Sequence, residues 1–200
     1  MIIGITGGTG SGKTTLLDEL KNHGALVLDC DAIYHQLLAT DPALTAAIGQ
    51  RFPGTVENGA LQRKKLGAIV FSDEKALQDL NEITHAAIHA EVLRQLETKP
   101  TLAAIDAIGL FESGLASLCD VTVAVIAPKN VRVGRLMERD RISQAYAESR
   151  IAAQPSDSWF RKKCGYVLEN CGSKADFQAK CLAFLQELGI MSIENKEDTL

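Results

Sequence analysis

Long apolar segments are absent from this chain. No uninterrupted apolar run approaches the roughly 20 residues that a membrane-spanning helix requires. The chain also begins directly in a β-branched run, without the basic residues that open a secretory signal peptide. We therefore expect a protein that has no membrane partner and resides in the cytoplasm.

The cysteines lack the spacing of a metal site or of a disulfide framework. There are five of them, an odd number, and none forms a C-x-x-C pair. We therefore expect reduced thiols that are mostly buried. The alternative concerns Cys30, which stands between two aspartates and is a candidate for a reactive thiol.

An excess of positive charge is absent as well. The chain has 21 Lys and Arg against 25 Asp and Glu, which gives a net charge of −4. Because a nucleic-acid-binding surface usually appears as a basic excess, we expect no nucleic-acid partner, although a local basic cleft is compatible with this balance. The length of 200 residues and the 46% hydrophobic content suit a single domain at residues 1–190, followed by a polar tail at residues 191–200.

A glycine-rich stretch near the start carries the strongest signal. Residues 7–14, here called the phosphate loop, read GGTGSGKT and match the phosphate-binding pattern G-x-x-x-x-G-K-T. A buried strand is predicted before it at residues 1–6 and a helix after it at residues 14–22, which is the context that the pattern requires. A chance glycine-rich turn before a lysine would not explain both the spacing and the context.

The loop pattern also assigns roles. Glycines let successive N–H groups point inward, and the following helix adds its free N–H groups and the positive end of its dipole. Lys13 can reach the β- and γ-phosphates, and Thr14 can place its hydroxyl on Mg²⁺. The pattern therefore predicts a nucleoside triphosphate with Mg²⁺. The other predicted cofactor-binding residues of this stretch are Gly8, Thr9, Gly10, Ser11, Gly12 and Thr15.

Strands and helices alternate along the rest of the chain. Further strands are predicted at residues 25–28, 101–106, 119–127 and 166–170, and the continuous apolar run of the third of these suggests a central position. Such alternation predicts an α/β fold, with a five-stranded parallel sheet flanked by helices in three layers. Residues 41–98 show no clear strand and are predicted as a helical excursion, while residues 139–155 carry arginines between two helices and suit a lid.

Two features favour a kinase that acts on a small molecule. Asp31 follows the second strand, where a carboxylate can accept a proton from an attacking hydroxyl. The arginines after the fourth strand can neutralise a phosphoryl group in transfer. The alternatives are that Asp29 and Asp31 only cap a helix, and that the helical spacing of Arg132, Arg135 and Arg139 marks a solvated face. Asp106 can assist Mg²⁺ through water or cap the next segment.

Three blocks follow the phosphate loop in a set order. Residues 28–31 read LDCD, residues 110–115 read LFESGL, and the segment at residues 135–154 carries Arg135, Arg139, Arg150 and Gln154 at spaced positions. With the loop, these blocks resemble the dephospho-coenzyme A kinase family over residues 2–188. The loop alone is generic, whereas the three blocks in this order are specific.

The resemblance implies a P-loop kinase fold with a helical substrate lobe and an arginine-bearing lid. ATP would give its γ-phosphoryl group to the ribose 3′-hydroxyl of dephospho-coenzyme A, with Asp31 as base and with Lys13 and Arg139 neutralising the moving charge. Asn170 would lie near the adenine of ATP. The residues implied on the acceptor side are Asp31, His35, Arg63, Phe111 and Glu112. We expect a monomer or a weak homo-oligomer whose partner is this small molecule.

Several positions depart from the family pattern. Residues 108–109 read IG where Pro-Leu is usual, residues 164–165 read CG where Ala-Asp is usual, Ala86 replaces a proline after His85, and His35 replaces a frequent arginine. These departures concern the acceptor pocket rather than the phosphate chemistry.

Two other functions compete with this one. Another P-loop nucleoside, nucleotide or small-metabolite kinase need not carry the FESGL block. A nucleotide-dependent switch of the GTPase kind should carry N-K-x-D after the fourth strand, which residues 128–130, PKN, do not supply. A regulator without activity would be expected to lose Lys13 or Asp31, and both are present.

Overall fold

A computed structural model describes residues 1–190, so the predicted tail at residues 191–200 lies outside the described residues. The described strands are β1 (Ile2–Thr6), β2 (Leu26–Asp29), β3 (Val56–Glu57), β4 (Ala60–Leu61), β5 (Ala103–Asp106), β6 (Val121–Ile126) and β7 (Tyr166–Glu169). The described helices are α1 (Lys13–Asn22), α2 (Cys30–Thr40), α3 (Pro42–Arg51), α4 (Arg63–Val70), α5 (Glu74–Leu96), α6 (Lys129–Asp140), α7 (Gln144–Ala152), α8 (Asp157–Lys163) and α9 (Lys174–Glu187).

Five of these strands form one parallel sheet in the order β2-β5-β1-β6-β7. The predicted five-stranded parallel sheet is therefore confirmed. The strand expected to be central, β6, is internal and pairs on both sides, but β1 occupies the middle of the sheet. The phosphate loop thus leaves the carboxyl end of the central strand, where ligands bind in open α/β sheets.

Helices cover both faces of this sheet. On one face, α1 and α9 pack on β1 and β6 through a cluster that includes Ile5, Leu16, Val125 and Phe177, all nearly inaccessible to solvent. On the other face, α2 and α5 pack on β2 and β5 around Ile105 and other buried residues. The result is the predicted three-layer arrangement. None of the described helices combines the length and the apolar character needed to cross a membrane.

The predicted helical excursion contains α3, α4 and α5, which share a small apolar core of their own. The expectation that this region has no strand is wrong at one place. The antiparallel strands β3 and β4 form a hairpin whose turn is Asn58-Gly59, with φ angles of 52° and 75°. Asn-Gly suits a two-residue hairpin turn, because both central residues need a positive φ.

Candidate active site

The phosphate loop joins β1 to α1 in a tight curl. Gly12 precedes the first residue of α1 with a φ of 100°, and Gly7 has a φ of 129°, which are backbone conformations that residues with a side chain rarely adopt. The glycines are therefore required by the shape of the loop. The predicted helix of residues 14–22 begins one residue earlier, at Lys13.

Hydrogen-bond donors account for the carbonyl groups of this loop. Lys13 Nζ donates to the carbonyl of Gly7 at 2.9 Å, and the N–H of Ser11 donates to that of Gly8 at 3.2 Å. Side chains distant in sequence supply the other donors. Arg132 Nε donates to Thr9 at 2.9 Å, Arg135 Nη1 donates to Gly10 and Ser11 at 3.2 Å each, and Asn170 Nδ2 donates to Ser11 at 2.8 Å.

The N–H groups of the same stretch remain available. Among the hydrogen bonds of residues 1–190, none uses the backbone N–H of Gly10, Gly12, Lys13 or Thr14. Several adjacent N–H groups at the N-terminus of a helix attract an anion, because the helix dipole adds partial positive charge there. With its carbonyls bonded and these donors open, the loop is suited to hold phosphate oxygens.

Two of the arginines considered as phosphate clamps thus hold the loop itself. Arg132 is almost fully buried, and a Cβ on Gly8 would lie 2.0 Å from its Nη2 atom. Arg135 also donates to Asn170 Oδ1 at 3.2 Å. Asn170 is buried behind the loop and does not line the cavity described next, so its predicted contact with adenine stays a prediction.

A cavity of about 630 Å³ opens over the phosphate loop and is called here the loop cavity. It has the size of a small-molecule site. Its lining residues are Thr9, Gly10, Ser11, Gly12, Lys13, Thr14, Asp31, Asp106, Ile108, Arg135, Leu136, Glu138, Arg139, Arg150 and Gln154. The structure therefore brings together the three predicted catalytic residues, Lys13, Asp31 and Arg139.

Arg139 and Arg150 reach this cavity from two different helices. Both guanidinium groups bond to Asp140, at 2.6 Å for Arg139 Nε and 2.6 Å for Arg150 Nη1. These hydrogen bonds lower the pKa of the Asp140 carboxyl to about 2, and the bond from Arg139 has the larger effect. The two arginines are thus tied to one another across the turn at residues 141–143, within the segment predicted as a lid.

The two aspartates after β2 have different surroundings. Asp29 caps α2 by accepting the N–H of Ala32 at 3.0 Å, which is the structural role considered for it. Asp31 lies exposed in the first turn of α2 and lines the loop cavity. Since a different residue caps α2, capping does not account for Asp31.

Asp31 also lines a second cavity of about 320 Å³, called here the lobe cavity. This cavity lies between the sheet edge and α5, and its residues are Cys30, Asp31, Tyr34, Leu80, Asn81, Thr84, His85, Ile88, Ala107, Ile108, Gly109, Ser113 and Leu115. Among the described residues, only Asp31 and Ile108 line both cavities. A carboxylate therefore stands where the two cavities meet.

Asp106 ends β5 opposite Asp29 and faces the loop cavity. Burial raises its pKa to about 6, with Lys13 acting in the opposite direction and the neighbouring acids adding to the rise. Among the described residues, its buried Oδ1 atom has no hydrogen-bond partner. An oxygen left without a partner, in the cavity that the exposed Thr14 also lines, fits a Mg²⁺ site. Mg²⁺ is usually held by one or two protein oxygens together with substrate phosphates.

The other predicted residues lie around this centre. Thr15 is half-buried, and its N–H bonds to Gly12 at 3.1 Å. His35 is exposed beside Tyr34, with ring centroids 5.6 Å apart. Arg63 is exposed at the start of α4, and its charge partly offsets the rise that burial causes in the pKa of Tyr34.

Two residues of the FESGL block, Phe111 and Glu112, have different surroundings. Phe111 packs edge-on against Trp159 at 5.6 Å and lines neither cavity. Glu112 lies near His85. Burial lowers the pKa of His85, and the negative charge of Glu112 acts against this lowering. A Cβ on Gly109 would lie 3.8 Å from Glu112 Oε2 and 3.9 Å from His85 Nε2, so this glycine leaves space in the lobe cavity.

The structure disfavours a reactive thiol at Cys30. Burial, together with the nearby acids, raises the pKa of Cys30 to about 12. A thiol with such a pKa stays protonated at neutral pH, whereas the thiolate is the nucleophile. The alternative of a reactive Cys30 is therefore not supported.

The sequence and the fold are similar to those of dephospho-CoA kinases. A family model described as dephospho-CoA kinase matches residues 1–176. The dephospho-CoA kinase of Moorella thermoacetica is 37% identical over 94% of this chain and 92% of its own length, and that of Lactobacillus johnsonii is 34% identical over 94% and 98%. A solved dephospho-CoA kinase from Campylobacter jejuni shares 26% identity with a TM-score of 0.66, over 97% of this chain and 98% of that one.

Proposed function

The chain belongs to the dephospho-CoA kinase family, and from this premise we propose how its site performs the reaction. The protein is a kinase that phosphorylates dephospho-CoA with ATP as the donor. The family match favours this reaction over that of another P-loop nucleoside, nucleotide or small-metabolite kinase.

The single observation that carries the mechanism is the position of Asp31 between the two cavities. ATP occupies the loop cavity, and the acceptor ribose enters from the lobe cavity. Asp31 orients the 3′-hydroxyl and takes its proton while the oxygen bonds to the γ-phosphorus and the bond to the leaving ADP oxygen breaks. An exposed carboxylate at this junction can do so without moving across the site.

The phosphate groups are held by the loop. The open N–H groups of Gly10, Gly12, Lys13 and Thr14 donate to phosphate oxygens, and the Lys13 ammonium neutralises the β- and γ-phosphates. Arg139, which lines the same cavity, stabilises the charge of the phosphoryl group as it moves. Such fixed donors are most effective where the charge changes during the reaction.

Thr14 and Asp106 would hold Mg²⁺, Thr14 through its hydroxyl and Asp106 through a bound water. When bound, the ion neutralises charge on the phosphate oxygens. The unpartnered Oδ1 of Asp106 supports this assignment. No group of three or more His, Cys, Asp or Glu side chains that could hold a metal occurs among residues 1–190, so the nucleotide itself would have to supply further ligands.

The lobe cavity binds the acceptor, dephospho-CoA. Its walls are mainly apolar, and Tyr34, Thr84 and His85 supply polar groups that can fix the orientation of a bound molecule. His35 and Arg63 lie near Tyr34 of this lining, and Glu112 lies near His85. All three are proposed as outer contacts, while Phe111 is proposed to act through its packing on Trp159. A monomeric or weakly oligomeric state and a cytoplasmic location stay predictions from sequence.

An acceptor series tests this function. ADP release would be followed with ATP and Mg²⁺ in the presence of dephospho-CoA, adenosine, a nucleoside monophosphate or no acceptor. We expect release with dephospho-CoA only, and a product whose new phosphate is on the ribose 3′-oxygen by ³¹P NMR. Release with another acceptor alone would contradict the substrate, and release without any acceptor would identify an ATPase.

A further inference from the structure

One side chain after α7 joins the phosphate loop to the helices that carry Arg139 and Arg150. Oε1 of Gln154 accepts the backbone N–H of Thr9 at 2.8 Å and Nη2 of Arg132 at 3.0 Å. Gln154 and Arg132 are 22 residues apart, and both are more than 120 residues away from Thr9 in sequence. A single oxygen therefore connects three distant segments.

Both polar groups of the Thr9 backbone are held by this contact. Its N–H donates to Gln154, and its carbonyl accepts from Arg132 Nε at 2.9 Å. The N–H of Thr9 is thus bonded to protein, whereas the N–H groups of Gly10, Gly12, Lys13 and Thr14 have no partner among residues 1–190. This places Thr9 on the supporting side of the loop, while the open N–H groups serve the ligand.

The same contact fixes the two helices. Arg132 precedes Arg139 by seven residues, which is about two turns, so both lie on one side of α6. Gln154 lies two residues beyond the end of α7, which carries Arg150. Arg132 also approaches Asp157 at the start of α8, with Nη1 3.7 Å from Oδ1. The loop is therefore attached to each helix that brings an arginine to the loop cavity.

We propose that Gln154 is a positioning residue that, through Thr9 and Arg132, keeps the phosphate loop and the cavity arginines in register. It does not touch the reacting atoms and acts by holding the groups that do. The inference rests on the proposed function, because that function places ATP in the loop cavity. The inference adds Gln154 to the residues on which phosphate binding and transfer depend, although Gln154 takes no part in the chemical step.

Burial makes Arg132 unsuitable as the first residue to change. Its guanidinium stays charged, and removing it would leave the Thr9 carbonyl without its partner in a buried position. Gln154 is only half-buried, and Met has nearly its length without a hydrogen-bonding oxygen. Gln154→Met therefore removes the contact with little change in volume, and Gln154→Glu keeps an oxygen that accepts from both donors.

The test uses the full chain and three readouts. They are the exchange rate of the Thr9 amide by NMR, the Kd for a non-hydrolysable ATP analogue without acceptor, and kcat and KM for each substrate. The control is Gln95→Met, which removes one hydrogen bond of 2.8 Å to Glu91 near the end of α5, outside both cavities. Thermal melting shows that each variant is folded.

We expect Gln154→Met to speed exchange at Thr9 and to lower kcat/KM for ATP about tenfold, as the loss of one hydrogen bond to a charged group suggests. KM for dephospho-CoA should stay within about twofold, and Gln154→Glu should recover ATP binding to within about threefold of the unchanged protein. A Gln154→Met enzyme with unchanged ATP binding and turnover would overturn the proposal, and so would an equal loss in Gln95→Met.

The two proposals fail in different ways. If the unchanged protein shows no ADP release that depends on dephospho-CoA, the proposed function fails. The exchange rate of Thr9 and the affinity for the ATP analogue need no acceptor, so they still decide whether Gln154 positions the loop.

Discussion

Nζ of Lys13 donates a hydrogen bond to the carbonyl oxygen of Gly7 at 2.9 Å. The ammonium is thereby held against the first residue of the loop that it completes. Its charge also acts on Asp106, whose pKa it lowers against the larger effect of burial. Lys13 therefore acts on both the phosphate loop and the acid at the end of β5, in the cavity where phosphate charge would be neutralised.

Replacing Lys13 by alanine should remove this neutralisation. We expect Lys13→Ala to lower kcat about a hundredfold or more, because the lost charge acts where charge moves in the transition state. Steady-state kinetics with ATP and dephospho-CoA would measure it. Lys21→Ala, at the other end of α1 and exposed, should leave kcat unchanged. A Lys13→Ala enzyme with unchanged turnover would remove Lys13 from the mechanism.

Replacing Asp31 by asparagine should separate binding from transfer. The amide keeps the size of the side chain but cannot take a proton, so we expect turnover to fall about a hundredfold or more with little change in ATP affinity. Turnover and the Kd of an ATP analogue would be measured on the same sample.

Asp29→Asn is the matched control for this experiment. Asparagine caps a helix as well as aspartate does, so this variant should keep both the fold and the activity. If Asp31→Asn loses ATP binding instead of transfer, Asp31 is a structural residue or a metal ligand.

The sequence predicted the parts of the site that depend on local patterns. The strand, the loop and the helix at residues 1–22 follow from short-range spacing of apolar residues and glycines, and the structure has them within one or two residues. The alternation of strands and helices similarly predicted the parallel sheet. Local patterns carry this information because hydrogen bonding within a helix and burial of one face act over a few residues.

Contacts between distant segments could not be predicted in this way. The spacing of the arginines after β6 fits either phosphate clamps or a solvated face, yet Arg132 and Arg135 bond to loop carbonyls more than 120 residues earlier. Asn170 supports the loop in the same manner. Which carbonyl an arginine reaches depends on how α6 packs against the sheet, and no local pattern encodes that packing. By contrast, the Asn58-Gly59 turn is a local pattern, and the sequence alone is sufficient to predict it.

Replacing Arg139 should affect transfer more than binding. Its side chain is 61% exposed, its guanidinium is bonded to Asp140, and it lines the loop cavity without holding the loop. We expect Arg139→Ala to lower kcat about tenfold or more and to change the Kd for ATP much less, as seen for groups that act mainly in the transition state. Turnover and nucleotide titration would measure the two effects.

Arg94 offers a matched control for Arg139. It is also exposed and bonded to a nearby carboxylate, Glu91, at 2.6 Å, but it lies on α5 outside both cavities. Arg94→Ala should therefore leave kcat unchanged. Unchanged kinetics in Arg139→Ala would instead show that Arg139 belongs to a solvated face.

Asp106 should make the stability of the fold depend on pH. Burial raises its pKa from 3.8 to about 6 in the folded protein. At pH values between these two pKa values, Asp106 has lost its carboxyl proton in the unfolded chain and keeps it in the folded chain. The free energy of unfolding therefore falls as the pH rises through this window and stays lower above it, by at most about 3 kcal/mol. Below the lower value both states are protonated, and the contribution vanishes.

Asp106→Asn should abolish this dependence, because the amide does not ionise. Urea unfolding in buffer with a chelator, so that no divalent cation acts on the carboxylate, would compare the variant with the unchanged protein. The variant should be more stable at pH 8, and its advantage should shrink towards pH 4. Asp18→Asn, which changes an exposed acid of α1, should show no such trend. A stability difference that is the same at both pH values would mean that Asp106 ionises in the folded protein as readily as in the unfolded chain.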